Sequence, residues 1–426
     1  MVDIQAAAET KFKETDVGPL PVDWIVRSIS EIANISGGGT PSTKVEMYWD
    51  GDIPWLTPSD VTAFFRLHID HSRRYISHAG LENSSAKLMP AGTVLMTSRA
   101  TIGEVVICDV PMATNQGFIN IVADPKTLHN EYLAYWIHWR KDQLRELGKG
   151  TTFLEISKGV FKSVSLPLPP LPEQRRIAAV LNTIHDAIAA QEDVIAEARA
   201  LKRSLMQRLF TYGPGREPAE TRETEIGPLP ENWRLAPLKS LGNVRYGKAR
   251  PGSEGDIPVV GSSGIYAWCD DILVNSPTII VGRKGSAGQV WYITEPCWIS
   301  DTAFYLEKAS DEVVLPFLAS YLSLSDLSGE HARTTMPSLQ RQDLESLLVP
   351  LPPIQAQEAI AAQLAACEEK IASEVDRGAA LQDLFKSARQ QLMTGQIRLL
   401  SDEGLPLRSY LGARSQRLRA KSVFSA

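Results

Sequence analysis

The sequence predicts an α+β protein with two mixed α/β domains in a pseudo-twofold tandem repeat, separated by two long antiparallel coiled-coil helices. Three observations predict this fold: two phrases that each occur twice, a different stretch between them in each half, and two long heptad segments. At 426 residues the chain is also too long for a single hydrophobic core.

The repeat is defined by its borders. KETDVGPLPVDW at 13–24 returns as RETEIGPLPENW at 222–233, and LPLPPLPEQRRIAAVL at 166–181 returns as VPLPPIQAQEAIAAQL at 349–364. Each half has the same order: the first phrase, a variable middle, the second phrase and a long segment. Such internal similarity is the signature of a duplicated architecture.

The segment after each second phrase is predicted to be one long helix. From Glu173 to about Phe210 there is no Pro or Gly, and seam residues alternate steps of four and three, which is a heptad pattern. Two such helices favour packing on each other in antiparallel orientation, while the alternative is that each folds back on its own half. The seam comprises Ile177, Leu181, Ile184, Ile188, Gln191, Ile195, Ala198, Lys202, Leu205 and Leu209, and then Ile360, Leu364, Cys367, Ile371, Glu374, Gly378, Leu381, Phe385, Ala388 and Leu392.

The middles are predicted to be mixed α/β domains. Runs such as 92–108 and 277–294 combine β-branched residues with Gly and Asp, which is typical of strands and hairpins. A helical pattern follows in each half, at 130–147 and 313–329, and strands followed by helix indicate the α+β class. Short islands match between the middles, among them Ser98-Arg99 and Gly282-Arg283.

These features predict five segments. They are an N-terminal arm with the first mixed domain (1–165), a first spacer helix (166–213), a linker with the second mixed domain (214–348), a second spacer helix (349–398) and a basic tail (399–426). If the helices are antiparallel, the second ends near Lys13, as the first ends near Arg222.

Composition excludes several classes of protein. No apolar run is long enough for a membrane span, and the N-terminus lacks the pattern of a secretion signal. Four scattered cysteines without a CxxC pair argue against a zinc site or a disulfide framework, so we expect a cytoplasmic protein. The net charge of −6 argues mildly against nucleic-acid binding, although it hides local basic patches.

No catalytic motif is apparent. GRKGSAG at 282–288 is neither a phosphate-binding loop nor a dinucleotide turn, and it is better explained as a β-turn. His68, Asp70 and His71 offer metal-binding groups, but their neighbours favour a polar hairpin. The sequence therefore predicts no catalytic, cofactor-binding or metal-binding residue in this chain.

Six polar loops at matched places form the candidate binding site. They are SGGGTPSTK (36–44), TSRAT (97–101) and GKGTT (148–152), then RYGKARPG (245–252), GRKGS (282–286) and HARTT (331–335). Small residues allow close approach of the backbone, and Lys and Arg bind phosphates or guanine edges. The alternative for any one residue is an ordinary solvated loop. The candidate DNA-binding residues are Thr40, Lys44, Arg99, Thr101, Lys149, Thr151, Arg245, Lys248, Arg250, Arg283, Lys284 and Arg333.

The order GPLPxxW, variable domain, PLPPLPEQRRIAAVL with its long helix, and then the whole again, resembles the specificity (S) subunit of Type I restriction–modification enzymes. The resemblance implies that each middle is a target-recognition domain for one half of a bipartite double-stranded DNA target. The helices would set the spacing between the half-sites and dock the partner subunits. Because the two middles differ, we expect an asymmetric target.

The resemblance also implies the partners. A non-catalytic S subunit docks two modification subunits, which use S-adenosylmethionine to methylate adenine-N6, and two restriction subunits that use ATP and Mg join in the full enzyme. Two features depart from the family pattern: Ile354-Gln355-Ala356-Gln357 replaces Leu171-Pro172-Glu173-Gln174, and the basic tail with Arg408, Arg414, Arg417, Arg419 and Lys421 lies beyond the repeat. The alternative functions are a protein-interaction scaffold without sequence-specific DNA binding, and an enzyme in one chain.

Overall fold

The computed structural model describes residues 10–62, 67–150, 154–215, 219–275, 277–308, 310–325, 327 and 338–400. The chain divides into two compact units, one formed by residues up to Ala189 and from Ala379 on, the other by Ala190–Gly378. Each unit contains one mixed domain and a part of each long helix. The predicted segment boundaries stay predictions, and the basic residues of the tail from Arg408 on lie outside the described residues.

The first domain is built on a five-stranded sheet and a three-stranded sheet. The five-stranded sheet has the order β4-β11-β8-β9-β6, and its pairs are antiparallel except for β9 with β6. The three-stranded sheet has the order β10-β5-β7. The strands are β1 (Phe12–Lys13), β2 (Leu20–Pro21), β3 (Ile25–Ser28), β4 (Ala33–Gly37), β5 (Trp49–Leu56), β6 (His68–Ile69), β7 (Tyr75–Ile76), β8 (Val94–Thr97), β9 (Val105–Cys108), β10 (Ala113–Thr114), β11 (Phe118–Ala123) and β12 (Ser165–Leu168).

The predicted helix at 130–147 is two helices. The first carries Tyr132, Leu133 and Ile137, all fully buried in the domain core with sheet residues such as Val94. It ends at Trp139, and a second, shorter helix begins at Lys141, with Arg140 between them. The helices of this domain are α1 (Ile29–Ile32), α2 (Pro58–Thr62), α3 (His78–Glu82), α4 (Asn130–Trp139), α5 (Lys141–Glu146) and α6 (Lys158–Lys162), with a 3-10 turn at Glu46–Tyr48.

The first long helix, α7 (Leu171–Tyr212), has a proline in its first turn and a glycine directly after its last residue. Pro172 lies in the first turn, where its missing N–H is not needed. Gly213 follows the last residue with a φ of +82°, the left-handed conformation that commonly ends helices. The prediction of a long helix after the second phrase is confirmed.

The second domain repeats the sheet plan of the first. Its four-stranded sheet has the order β16-β22-β19-β20, and its three-stranded sheet the order β18-β17-β21. Its strands are β13 (Thr221–Thr224), β14 (Gly227–Pro230), β15 (Arg234–Pro237), β16 (Gly242–Tyr246), β17 (Ile257–Gly261), β18 (Gly264–Cys269), β19 (Thr278–Gly282), β20 (Val290–Ile293), β21 (Trp298–Ile299), β22 (Ala303–Lys308) and β23 (Leu348–Leu351). Its helices are α8 (Leu238–Leu241), α9 (Leu315–Leu324) and α10 (Arg341–Ser346), and the second long helix, α11 (Ile354–Met393), follows.

The first domain is longer because of an insertion between paired strands. In the second domain a short turn after Gly261 joins β17 directly to β18. In the first domain, the equivalent strands β5 and β7 are separated by α2 and β6, and β6 extends the large sheet. The predicted α+β class with tandem domains is confirmed.

The two long helices run antiparallel in each unit. In the second unit, Gln191 Nε2 donates to Glu374 Oε2 at 2.8 Å, while Lys202, further along α7, pairs with Glu368, further back along α11. In the first unit the ring of His185 lies 6.2 Å from that of Phe385. The predicted antiparallel packing is therefore confirmed, including the polar seam position.

A buried glutamine fixes the start of each long helix to its domain. Gln174 Oε1 accepts a hydrogen bond from the His129 amide at 2.9 Å, and its Nε2 donates to the Thr127 and Pro169 carbonyls. Gln357 makes the same three bonds in the second unit, to the amide of Val314 and the carbonyls of Glu312 and Pro352. The repeated Gln of the second phrase is thus a junction residue.

The repeated tryptophan of the first phrase packs where a long helix ends. Gly395, with a φ of +67° beyond α11, would place a Cβ 3.3 Å from the Trp24 ring, and Gly213 would place one 3.7 Å from the Trp233 ring. Both indoles are buried. The first phrase is therefore the seat on which a helix terminus rests in each unit.

An ion network closes this seat in the first unit. The Arg398 side chain, 5% exposed, donates to Glu173 at 2.8 Å and 2.9 Å and to Asp23 at 2.9 Å and 2.6 Å. Trp24 Nε1 donates to the same Glu173 carboxylate at 3.2 Å. The hydrogen bond from Arg398 lowers the pKa of Asp23.

None of the helices that the structure describes is long and apolar enough to cross a bilayer.

We expect Arg398→Met to destabilise the first unit by about 3–5 kcal/mol, because it leaves the buried Glu173 carboxylate without its cation. Thermal melting of the whole chain, with limited proteolysis at Asp23–Trp24, would measure this. Arg377→Met is the control, since Arg377 is exposed and its pair with Glu374 is worth less than about 1 kcal/mol. Adding Glu173→Gln to Arg398→Met should restore part of the loss, and no restoration would contradict the buried-charge explanation.

His68 provides a pH-dependent contact in the first domain. Its Nε2 lies 3.1 Å from Glu131 and its Nδ1 2.7 Å from Asp109, and the hydrogen bond to Glu131 raises the pKa of His68 to about 9. A raised pKa stabilises the fold fully below the unfolded value near 6.5 and loses this effect as the pH rises through about 9. We therefore expect His68→Gln to destabilise the chain at pH 6 and to match the original protein at pH 10, in urea titrations. His71→Gln, at an exposed position, is the control.

Candidate nucleic-acid interface

The predicted loops of the first domain meet in one cluster beyond the ends of β4 and β8. The Gly39 amide donates to the Thr114 carbonyl at 2.8 Å, and the Ser98 amide to the Gly117 carbonyl at 2.7 Å. The Ile156 amide completes the cluster by donating to the Ser98 carbonyl at 3.0 Å. These bonds join residues 38–44, 98–104, 114–117 and 154–156 into the first loop cluster.

The second domain builds the same cluster with the same backbone bonds. The Lys248 amide donates to the Ile299 carbonyl, the Arg283 amide to the Thr302 carbonyl and the Leu339 amide to the Arg283 carbonyl, each at 2.9 Å. These residues correspond to the donors and acceptors of the first cluster. Arg283 thereby corresponds to Ser98, one residue away from the match with Arg99 that the sequence suggested. Residues 247–252, 283–289, 299–302 and 338–340 form the second loop cluster.

One glycine in each cluster is required by close packing of backbones. A Cβ on Gly38 would lie 2.1 Å from the Asn115 carbonyl oxygen, and one on Gly247 would lie 2.0 Å from the Ser300 carbonyl oxygen. Only glycine permits this contact. The Gly-rich character that suggested ligand approach in these loops therefore serves, at these two positions, the assembly of the cluster itself.

The loop after β8 and the loop after β19 have one conformation. The Thr97 amide donates to the Glu104 carbonyl, and the Gly103 amide to the Thr97 carbonyl. In the second domain the Gly282 amide donates to the Gln289 carbonyl, and the Gly288 amide to the Gly282 carbonyl. GRKGSAG is thus the turn of a β-hairpin, as the sequence predicted. Its side chains stand on a fixed backbone, which is what a recognition loop requires.

In the first domain the predicted residues lie on the cluster. Thr40, Lys44, Thr101 and Lys149 are exposed, and Thr40 donates to the side chain of Gln116. The side chain of Arg99 is about two-fifths exposed, and its Nε lies 2.9 Å from Glu155. Backbone bonds between Lys149 and Glu155 bring Lys149 beside Arg99. Thr151 lies outside the described residues.

In the second domain the predicted residues are more widely spread. Lys248, Arg250 and Lys284 are exposed on the cluster. Arg283 is half-buried, with its guanidinium 5.2 Å from the Tyr246 ring centroid and its Nη1 donating to the Asp301 carbonyl. Arg245 lies on β16, where its Nε lies 3.2 Å from Glu307. Arg333 lies outside the described residues.

The ion pairs at this surface are weak enough to be exchanged for phosphate. Both partners in Arg99–Glu155 and in Arg245–Glu307 are about half exposed, and such pairs contribute at most about 1 kcal/mol. Elsewhere, the His68 group that offered a metal site is occupied by its carboxylate pairs. Among the described residues, no group of three or more His, Cys, Asp or Glu side chains is placed so that it could hold a metal ion.

Sequence reasoning missed several side chains that lie in the clusters or directly beside them. Gln116 holds Thr40, and Lys158 and Arg341 occupy matching places at the start of α6 and α10. Tyr246, beside the second cluster, is nearly half exposed. The offset between the second phrases also pairs Lys158 with Arg341, so extending the repeat upstream could have found them.

The comparison with protein families matches both halves. The family model described as the Type I restriction modification DNA specificity domain covers residues 21–199 and 230–382, which is more than half of the chain. The chain belongs to this family. The resemblance found in the sequence is confirmed, and the chain contains two Type I DNA specificity domains, one in each half.

Individual relatives agree with the family. The Type I restriction enzyme MjaIX specificity subunit of Methanocaldococcus jannaschii is 36% identical over 252 residues, 58% of this chain and 58% of that protein. The MjaVIII specificity subunit of the same organism is 24% identical over 431 residues, covering 94% of this chain and 99% of that one. The EcoR124I/EcoR124II specificity subunit of Escherichia coli is 30% identical over 208 residues, 47% of this chain and 48% of that subunit.

Solved structures of the family share the fold. The S subunit from M. genitalium matches with a TM-score of 0.55 at 16% identity, covering 92% of this chain and 100% of that one. A chain from a study of complex assembly in the type I R-M system matches with a TM-score of 0.57 at 18% identity, covering 88% and 99%. At these identities the likeness concerns the fold alone.

We expect Gly247→Ala to disrupt the second loop cluster, because its Cβ would collide with the Ser300 carbonyl oxygen. Overpacking of this kind costs about 1–3 kcal/mol. Hydrogen exchange should show faster exchange at the Lys248 amide and in 299–303, with the first domain unchanged. Gly252→Ala, in the same loop with nothing within 4 Å of its added Cβ, is the matched control. Equal protection in both variants would show that close packing at Gly247 is not required.

Proposed function

We propose that this chain is the non-catalytic specificity subunit of a Type I restriction–modification system, in which each recognition domain binds one half of an asymmetric bipartite DNA target. The observation that carries the proposal is the pair of loop clusters. Their backbones are held by the same hydrogen bonds, while the side chains they display differ. That is the expected design for two readers of different sequences on one scaffold.

The chemistry of the clusters favours DNA over a protein ligand. The chain as a whole is acidic, with a net charge of −6, yet Lys44, Lys149, Lys248 and Lys284 are exposed on the clusters. Exposed cations can neutralise phosphates, and hydroxyl or guanidinium groups such as Thr101 can bond to base edges. Cations outnumber carboxylates by three to two around the first cluster (Lys44, Arg99 and Lys149 against Glu104 and Glu155) and by four to one in the second (Lys248, Arg250, Arg283 and Lys284 against Asp301).

The long helices support the proposed spacer role. At a rise of 1.5 Å per residue, the 42 residues of α7 span roughly 63 Å and the 40 residues of α11 roughly 60 Å. The buried Gln174 and Gln357 fix each domain to a helix start, so that domain and helix behave as one body. The proposed role of the paired helices is to set the gap between the half-sites.

The helices also offer a surface for partner subunits. Val194 and Leu201, two helical turns apart on α7, are 45% and 69% exposed, and Val375 on α11 is 39% exposed. Val194 and Leu201 are seven residues apart and therefore lie on one face of α7, which makes that face the candidate docking surface. We propose that methyltransferase (modification) subunits bind here, two in number, with two restriction subunits in the full enzyme, in the cytoplasm. S-adenosylmethionine would be held by the modification subunits, and ATP and Mg by the restriction subunits.

The alternative is an interaction scaffold without sequence-specific DNA binding. It would bind the same partner subunits but would give no salt-dependent preference among DNA duplexes. Co-expression with a modification subunit, followed by mapping of methylated adenines on genomic DNA, separates the two. A single bipartite motif supports the proposal, and random methylation or none supports the scaffold.

We expect a domain swap to change only one half of the target. Replacing residues 24–165 with the corresponding domain of another specificity subunit should alter one half-site, because its loop cluster is built entirely within that domain. The reciprocal swap of residues 233–348 should alter the other half-site. Methylation mapping is the measurement, and a change in both halves from one swap would contradict independent recognition.

A further inference from the structure

Lys158 faces the end of β4 in the first domain. It is exposed, and within the described residues it forms no ion pair. Its Nζ lies 3.1 Å from the point where a Cβ on Gly37 would stand. Gly37 directly precedes Gly38, whose backbone touches the Asn115 carbonyl, so this ammonium group lies at the rim of the first loop cluster.

Arg341 occupies the matching place at the second cluster, but it is half-exposed and its Nε pairs with Glu345 at 2.7 Å. Its guanidinium carbon lies 5.9 Å from the centroid of the Tyr246 ring, and Tyr246 directly precedes Gly247. Arg283 approaches the same ring at 5.2 Å, and Phe304 packs on it at 5.0 Å between centroids. The ring is 47% exposed, although it is held in place by these neighbours.

The two arrangements occupy equivalent positions but present different surfaces. In each domain a cation at the start of a helix, α6 or α10, faces the last residue of a strand, β4 or β16. Gly37 leaves the main chain open beside its lysine, whereas Tyr246 places a flat ring beside two guanidinium groups. Contacts between guanidinium groups and aromatic rings are favourable and fix the orientation of both.

We propose that Lys158 and Arg341 each bind a backbone phosphate of DNA at matched places, and that Gly37 and Tyr246 make the two domains distinguish different bases there. This inference rests on the proposed function. Lys158 is an exposed cation, and the half-exposed Arg341 would exchange Glu345 for phosphate. The half-exposed Tyr246 ring offers an apolar face to a base edge or a deoxyribose. At Gly37 a base edge can approach the backbone directly.

The phosphate contacts can be tested by salt dependence. The complex with modification subunits should carry Lys158→Gln or Arg341→Gln, and its affinity for the target duplex should be measured over a range of salt. Each substitution should weaken binding to all sequences alike and lower the log–log salt slope by about one. Lys162→Gln, on the same helix as Lys158, and Lys239→Gln, an exposed lysine of the second domain, are controls that should leave the slope unchanged.

The base discrimination can be tested at the facing residues. Tyr246→Gly should reduce discrimination in the half-site of the second domain by roughly tenfold or more and leave the other half-site unchanged. Gly37→Tyr should alter only the half-site of the first domain, since the Lys158 side chain is flexible enough to move aside. Tyr246→Phe keeps the ring and should keep the discrimination, which separates a contact role from misfolding.

The outcomes also separate this inference from the proposed function. Unchanged salt slopes in Lys158→Gln and Arg341→Gln, with unchanged discrimination in Tyr246→Gly, would overturn the inference while specific binding remained. If the original complex bound all duplexes equally, the proposed function itself would fail. Arg341→Lys should restore the salt slope, because it keeps the charge without the guanidinium.

Discussion

The buried amide of Gln174, and of Gln357 in the second unit, is the contact on which the recognition domains depend. Each amide accepts from one main-chain amide and donates to two main-chain carbonyls, so one side chain joins the start of a long helix, the proline-rich turn before it and the loop that leads into α4 or α9. The site is buried, and a lost partner would therefore leave main-chain groups unsatisfied at a cost of about 1–3 kcal/mol each. A recognition domain can bind a defined half-site only if its orientation on the helix is fixed, and the glutamine amide of each unit fixes this orientation.

The two units close their seats differently for a topological reason. In the second unit α7 continues through Gly213 toward the phrase that ends in Trp233, so covalent connection keeps the helix end and its seat together. In the first unit the seat at Trp24 is filled by the far end of the chain, beyond α11, and no peptide link holds it there. Arg398 supplies the missing link with hydrogen bonds to Glu173 and Asp23. Ala356 stands at the position of Glu173 in the second unit, where such a clasp has no purpose.

The long helices and the repeated border phrases could be predicted from the sequence because their signals are local and occur twice. The heptad seam, the helix-ending glycines and the paired phrases each depend on residues close together in the chain. The loop clusters were harder to predict, because bonds such as that between Ser98 and Gly117 join segments that only sheet formation brings together. Polar loops drew attention to Arg99 and Lys248, whereas Lys158 was missed because it begins a helix. The break at Arg140 was missed because the periodicity of apolar residues continues through it.

The separation between backbone bonds and side chains explains why the middles diverge while the borders do not. The bonds that the two clusters share join main-chain groups, and at the closest contact Gly38 and Gly247 have no side chain. Side chains such as Asn115 and Trp55 add hydrogen bonds to the first cluster. Exposed loop positions whose side chains make no such bond, such as Lys44 and Lys284, can therefore change without loss of these main-chain bonds. The borders have no such freedom, since Trp24 and Gln174 act through their side chains in buried sites. A chain built in this way can acquire a new DNA target by substitution or exchange of a middle while the fold and the subunit contacts are preserved.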